Sequence, residues 1–181
     1  MDTRHEQDFT VLYRTHHPAV DAYVRRRLSA TEDSDDVVAE VFLTAWRRLD
    51  ELPRDAALPW LYATARKILA NTRRAEQRRQ ALAETAARER QSISSDPAED
   101  VVGMQAVAMA FDALSESDRE VLRLALWEEL SARQAAAVIG CTSATFHVRL
   151  HRARKRLREH LNRTASNSSQ RTSSILGGVD A

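Results

Sequence analysis

Cations gathered on one helix face with almost no acids among them are what a polyanion requires. The segment from 131 to 161, SARQAAAVIGCTSATFHVRLHRARKRLREHL, supplies such a face. Arg149, Arg152, Arg154, Lys155, Arg156 and Arg158 stand there against the single acid Glu159. That is more positive charge than a solvated surface needs, and it suits a phosphate backbone. A second run, WLYATARKILANTRRAEQRR at 60 to 79, places Trp60 and Tyr62 beside Arg66, Lys67, Arg73, Arg74, Arg78 and Arg79. Rings next to cations suit single-stranded nucleic acid, because bases stack on the rings while phosphates meet the charges. The plainer alternative for this run is a core stripe of Trp60, Leu61 and Ile68 backed by solvated arginines.

Other chemistries find little support. The acids at 32 to 40 have no histidine or cysteine with them, so they fit a helix start and a protein-docking face better than a metal site or an acid–base pair. His16, His17, His147 and His151 fall on separate elements or on the face expected to meet DNA, and none reads as a metal ligand. Cys141 is the only cysteine, which excludes an internal disulfide and a cysteine-built zinc site and suits a reducing cytoplasm. A Gly-rich phosphate loop is missing, as is any nucleophile and base spacing. The expectation is a binding protein without cofactor, not an enzyme.

The elements that must carry these residues follow from periodicity. Ser131 with Gln134 is a capping box for a helix burying Ala135, Ala136, Val138 and Ile139. Gly140 ends it, and Thr142 or Ser143 restarts the chain as a helix whose Phe146, Leu150, Ala153 and Leu157 form one apolar stripe. Helix, tight turn and basic helix together predict a helix-turn-helix, with the N-terminal residues of the second helix nearest the base edges. Upstream, Phe9, Leu12 and Tyr13 mark a short helix and Val20, Tyr23, Val24 and Leu28 a longer one, split at Pro18. Ser34 or Asp35 then caps a helix striped by Val38, Val41, Phe42, Ala45, Trp46 and Leu49, and Pro53 and Pro59 bracket a loop. Val107, Phe111 and Leu114 open the second half, before a Ser115-capped helix with Val121, Leu122, Leu124 and Leu126.

With four glycines, four prolines, 43% hydrophobic and 29% charged residues among 181, the chain predicts an all-α protein. Its net charge of +1 conceals segregation: residues 1–80 carry +1, 81–118 carry −6 and 119–181 carry +6. Two small helical domains joined by a flexible linker are expected, at 1–79 and 104–161, with an acidic linker at 80–103 and a disordered Ser-rich tail at 162–181. The polar start MDTRHEQDF lacks the apolar run of a signal peptide, and no stretch has the length of a membrane span.

The blocks DSDDVVAEVFLTAWRRLDEL and PWLYATARKILANTRR, followed by LSESDREVL leading to RLHRARKRLREHL, resemble a two-domain sigma factor of the sigma-70 family, in the extracytoplasmic-function group, over about residues 8 to 161. The resemblance implies binding to core RNA polymerase, through the beta-prime clamp helices and the beta flap, and to promoter DNA; an anti-sigma factor is a candidate further partner. It assigns polymerase docking to Asp36, Glu40, Phe42 and Trp46, with the charged pair exposed and the aromatics supporting the helix from inside. The loop at 50–59 and the helix from 60 would face the non-template strand at the minus 10 element through Trp60, Arg66, Lys67, Asn71, Arg73 and Arg74. The helix from 143 would read the minus 35 element through Thr145, His147, Val148, Arg149, His151, Arg152 and Lys155. Ala39 stands where the family usually has glutamine, Lys67 where asparagine is common, and Phe146, His147 and Val148 replace the usual Val, Lys or Arg, and Ser. The rival reading is a stand-alone helix-turn-helix regulator, against which the second nucleic-acid surface at 60–79 argues.

Overall fold

A computed structural model describes the backbone of residues 3–28, 33–86 and 102–176, and the side chains of 3–28, 33–79 and 106–163. The described residues form α-helices and two 3-10 turns, with no strand among them. Contacts group the chain into two compact units, Met1–Ser92 with Arg133–Thr142, and Ile93–Ala132 with Ser143–Ala181.

In the first unit α1 (Thr3–Arg25), α2 (Ser34–Arg47) and α3 (Ala57–Ala86) pack pairwise. The expected break at Pro18 does not occur: α1 is one helix with Pro18 inside it. An internal proline costs about 3 kcal/mol through a lost hydrogen bond and a crowded carbonyl. Leu12 on one side and Val20, Tyr23 and Val24 on the other are all buried, and each contributes about 1.5–3 kcal/mol, which more than offsets that cost. Neither Ser34 nor Asp35 caps α2. Asp33 does, its carboxylate accepting the Asp35 N–H at 2.9 Å. Val38, Val41, Phe42 and Ala45 are buried as the stripe predicts, and Val37 joins them.

The loop between α2 and α3 contains the 3-10 turns Leu49–Glu51 and Arg54–Ala56, and α3 begins at Ala57 rather than 60. Pro59 therefore lies in the first turn, where a missing N–H leaves nothing unsatisfied. The helix then continues past 79 to Ala86, into the stretch expected as linker. AEQRRQALAETA is rich in strong helix formers and has no glycine or proline to stop it. The remainder of that linker, 87–101, lies outside the described residues.

The second unit holds α4 (Val102–Asp112), α5 (Glu116–Leu126) and α7 (Ser143–Leu176), with both α4 and α5 packed on α7. Ser115 caps α5 as expected, its hydroxyl oxygen accepting the Asp118 N–H at 3.2 Å. Ala110, Leu114, Val121, Leu122, Leu124, Phe146, Leu150 and Ala153 make the buried set, whereas Val107 and Leu126, expected inside, are exposed. α7 runs on to Leu176, past residue 161 and through most of the stretch expected as a disordered tail. Ser, Thr and Asn propagate a helix poorly but do not break one, and the first glycines after 161 are Gly177 and Gly178.

α6 (Ala132–Ile139) precedes α7 across a short turn. Gly140 adopts φ +78°, and the Cys141 N–H donates to the Ala136 carbonyl at 3.0 Å while the Gly140 N–H reaches the same oxygen at 2.9 Å. This left-handed closure is the one glycine makes without steric cost.

Candidate nucleic-acid interfaces and docking face

α2 divides its residues between two sides. Phe42 is 3% exposed, because α1 lays His5, Phe9, Tyr13 and His17, each four residues after the last, along its inner face. The Tyr13 and Phe42 rings meet at 4.7 Å, His17 stacks on Phe42 at 5.8 Å, and Phe9 sits edge-on to Trp46 at 5.0 Å. His5 extends the ladder to Trp46 at 4.6 Å. Asp36, Ala39, Glu40, Leu43 and Arg47 are exposed on the outer side. Leu43, which sequence reasoning passed over, is 47% exposed between the acids and the arginine. Its signal was a leucine off the buried stripe and three residues after Glu40.

α3 starts in the core and ends in charge. Tyr62 is buried and stacks on Tyr23 of α1 at 4.3 Å, while Trp60 is half-buried. Lys67, Asn71, Arg74 and Arg78, at spacings of four, three and four, are exposed along one stripe, with Arg66 and Arg73 half-buried beside it. Arg74 donates to Asn71 Oδ1 at 2.7 Å and to the Ala70 carbonyl at 3.1 Å. Arg73 behaves differently. Its Nη2 donates to the Arg27 carbonyl just beyond α1. Arg27 is itself 5% exposed, with its guanidinium 3.4 Å from the centre of the Tyr23 ring and Nη1 donating to the Tyr23 carbonyl at 2.9 Å. Rings and cation thus pin the α1 terminus to which α3 is tied.

Beside the turns that lead into α3, a groove of about 620 Å³ runs along α1, floored by Leu12 and Leu52 and edged by Arg4, Asp8, His16 and Arg54. Burial holds the His16 imidazole below its ordinary value of 6.5.

On α7, Phe146, Leu150 and Ala153 are buried and Leu157 half-buried, so the expected stripe faces inward. Thr145, His147, Val148, Arg149, His151, Arg152 and Lys155 are all exposed, which brings the whole expected reading set to the surface of one helix. Val148 is 50% exposed and offers apolar contact of the kind a thymine methyl accepts. Glu159 approaches Lys155 only at 4.0 Å, with both side chains well exposed, a contact too weak to cancel the field. Arg156 is engaged: its Nη1 donates to Asp118 Oδ2 on α5 at 2.7 Å. No group of three or more His, Cys, Asp or Glu placed to hold a metal occurs among the described residues, and none of their helices is long and apolar enough to cross a membrane.

Residues 12–79 match the family model of sigma-70 region 2, and residues 104–157 that of sigma-70 region 4. The ECF RNA polymerase sigma factor SigD of Mycobacterium tuberculosis is 31% identical over 154 residues, spanning 80% of this chain and 72% of that protein. A probable RNA polymerase sigma factor, RfaY, of Xanthomonas campestris is 32% identical over 144 residues, which are 74% of this chain but only 36% of the relative. Among solved structures, the sigma factor RpoE of Bartonella quintana, in complex with the anti-sigma factor NepR, is 26% identical, with a TM-score of 0.65 over 86% of this chain and 98% of that one. The cationic stretch of α3 and the N-terminal half of α7 fall inside the two matched regions, and the chain belongs to the sigma-70 family of RNA polymerase sigma factors, in its extracytoplasmic-function group, which direct the polymerase to specific promoters.

Proposed function

We propose that this protein acts in promoter-specific transcription initiation through three separate surfaces. The outer face of α2, with Asp36 and Glu40 around Leu43, docks on the clamp helices of core polymerase, while Phe42 and Trp46 hold that helix from within. The exposed stripe of α3, Lys67, Asn71 and Arg74 with Arg66, holds the non-template strand at the minus 10 element, and Trp60 stands at the start of that helix beside the loop. The N-terminal half of α7 reads the minus 35 element, with His147 and Val148 at base edges and Arg149, Arg152 and Lys155 toward phosphate. Each role is one of binding, not catalysis, and it is exercised in the cytoplasm where the polymerase works. An anti-sigma factor of the kind bound to the Bartonella relative would act by covering these faces.

The observation that carries this reading is that two cationic helix faces, one beginning among aromatic residues and one following a helix and a glycine turn, occur in the two matched regions of one chain. A lone repressor needs one such surface. Copurification with core polymerase, followed by transcription from a cognate promoter with permanganate footprinting of unpaired thymines, tests it. The expected result is a stable complex, a specific transcript and reactive thymines near the minus 10 element. Failure of the wild-type protein to bind polymerase, or nanomolar sequence-specific DNA binding by the free chain at physiological salt, overturns it.

A further inference from the structure

We propose that the Arg156–Asp118 ion pair fixes the rotation of α7 about its own axis, so that Arg156 positions the reading residues rather than contacting DNA itself. This rests on the assignment of α7 to minus 35 recognition.

Asp118 is the third residue of α5, 7% exposed. Its Oδ2 accepts the Ser115 hydroxyl at 2.8 Å and the Arg156 guanidinium at 2.7 Å. One carboxylate thereby closes the cap of α5 and grips α7. At 3.6 residues per turn, Arg156 projects about 90° around the helix from the centre of the Phe146–Leu150–Ala153–Leu157 stripe, whereas Lys155 and His151 project from the far side. The stripe alone defines the roll of α7 poorly, because it consists of two leucines, an alanine and one ring, and apolar contact has no direction. A charge-assisted hydrogen bond at the edge of the stripe has one. A roll of about 20° moves a side-chain tip lying about 6 Å from the axis by about 2 Å, enough to break a hydrogen bond to a base edge. Arg156, for all its place in a run of cations, is the one whose partner is 38 residues back in the chain.

Electrostatics and positioning predict opposite signs for one substitution. Asp118→Asn removes a negative charge near the basic face. If charge alone governs, promoter affinity rises; if Asp118 holds the helix, affinity falls. The assay uses the full chain assembled with core polymerase and duplexes carrying its preferred minus 35 sequence or single-base variants, titrated over a range of salt. Asp118→Asn and Arg156→Ala should each weaken the preferred duplex about tenfold and blunt discrimination against the variants, as loss of a base contact does. Neither should change the slope of log affinity against log salt. The double variant should be no worse than either single one. Lys155→Ala, by contrast, should reduce the slope by about 0.9, the signature of one lost phosphate contact. If the alanine variant does not fold by circular dichroism, Arg156→Gln keeps the aliphatic stem and carries the same expectations. Tighter binding by Asp118→Asn, a slope reduced by about one in the Arg156 variant, or losses that multiply in the double variant would overturn the proposal. A wild-type holoenzyme without minus 35 preference would remove the recognition reading and this proposal with it, whereas failure of the Arg156 arms alone leaves that reading standing.

Discussion

Phe42 and Glu40 stand two residues apart on α2 and should fail in opposite ways when replaced. Phe42 is 3% exposed, with the Tyr13, His17 and Phe9 rings at 4.7, 5.8 and 6.4 Å. Truncating a buried phenylalanine to alanine costs about 3–5 kcal/mol, from lost transfer energy and the cavity left behind. A unit of this size has about 4–11 kcal/mol to lose, at roughly 0.05–0.15 kcal/mol per residue. At about 4–8 °C per kcal/mol, Phe42→Ala should lower the melting temperature by about 12–40 °C. Glu40 is exposed and beyond the first turn of α2, so Glu40→Lys should cost within about 0.5 kcal/mol and move the midpoint by only a few degrees. Asp36→Lys lies between, because Asp36 sits in the first turn and its reversal also forfeits about 0.3–1 kcal/mol of interaction with the helix dipole.

Capture by core polymerase should follow the other order. At a temperature where all variants are folded by circular dichroism, Glu40→Lys and Asp36→Lys should be lost from immobilised core enzyme, and Phe42→Ala should be retained in proportion to its folded fraction. A Phe42→Ala protein melting within about 5 °C of wild type would show that the ring ladder does not hold α2. A folded Glu40→Lys protein captured as well as wild type would show that the outer face of α2 is not the docking surface.

Other outcomes follow from single features. Because burial holds the folded His16 below 6.5, the unfolded chain takes up a proton in that window that the folded chain refuses, so stability is unaffected above it and falls as pH drops through it. Denaturant unfolding at about pH 7.5 and about pH 5.5 should show this loss, reduced in His16→Gln; equal losses in both proteins would refute it. Gly140 has φ +78° and nothing within 4 Å of an added Cβ, so Gly140→Ala should cost only the backbone term, about 1–2 kcal/mol, and Gly140→Asn less, as read by thermal melts. Arg74→Ala should leave the polymerase complex intact while reducing permanganate reactivity at the minus 10 element; unchanged reactivity would take Arg74 off the strand path.

Periodicity made the stripes of α2, α5 and α7 legible, because each needs only the spacing of apolar residues and a cap, and both are local. Where the expectation missed, the deciding term was not local, except at the α2 cap, where several neighbouring residues could serve. Pro18 reads as a boundary, yet burial on both sides of it keeps α1 continuous. Asp33 rather than Ser34 caps α2, a choice of one residue among four candidates in EDSDD that composition does not separate. Val107 and Leu126 carry the right period for a core but end exposed, since a stripe on a helix says which side is apolar and not how far the neighbouring helix extends.

The cations show the same limit more sharply, and it bears on function. In the sequence Arg73 and Arg74 are equivalent, as are Lys155 and Arg156. In the fold Arg74 bonds only within its own helix while Arg73 reaches the Arg27 carbonyl 46 residues away, and Lys155 has a distant glutamate while Arg156 grips a buried aspartate. A charge count therefore overstates the number of phosphates such a surface can neutralise, and with it the salt dependence of binding, by about 0.9 in slope for each cation already committed inside the protein. The same commitments make the remaining cations more effective. A guanidinium that ties α3 to the end of α1, or α7 to α5, holds the exposed residues beside it in one orientation, and preorganised contacts bind with less loss of side-chain freedom than mobile ones. On the proposed roles, affinity and register come from different cations in the same run, and only their partners tell them apart.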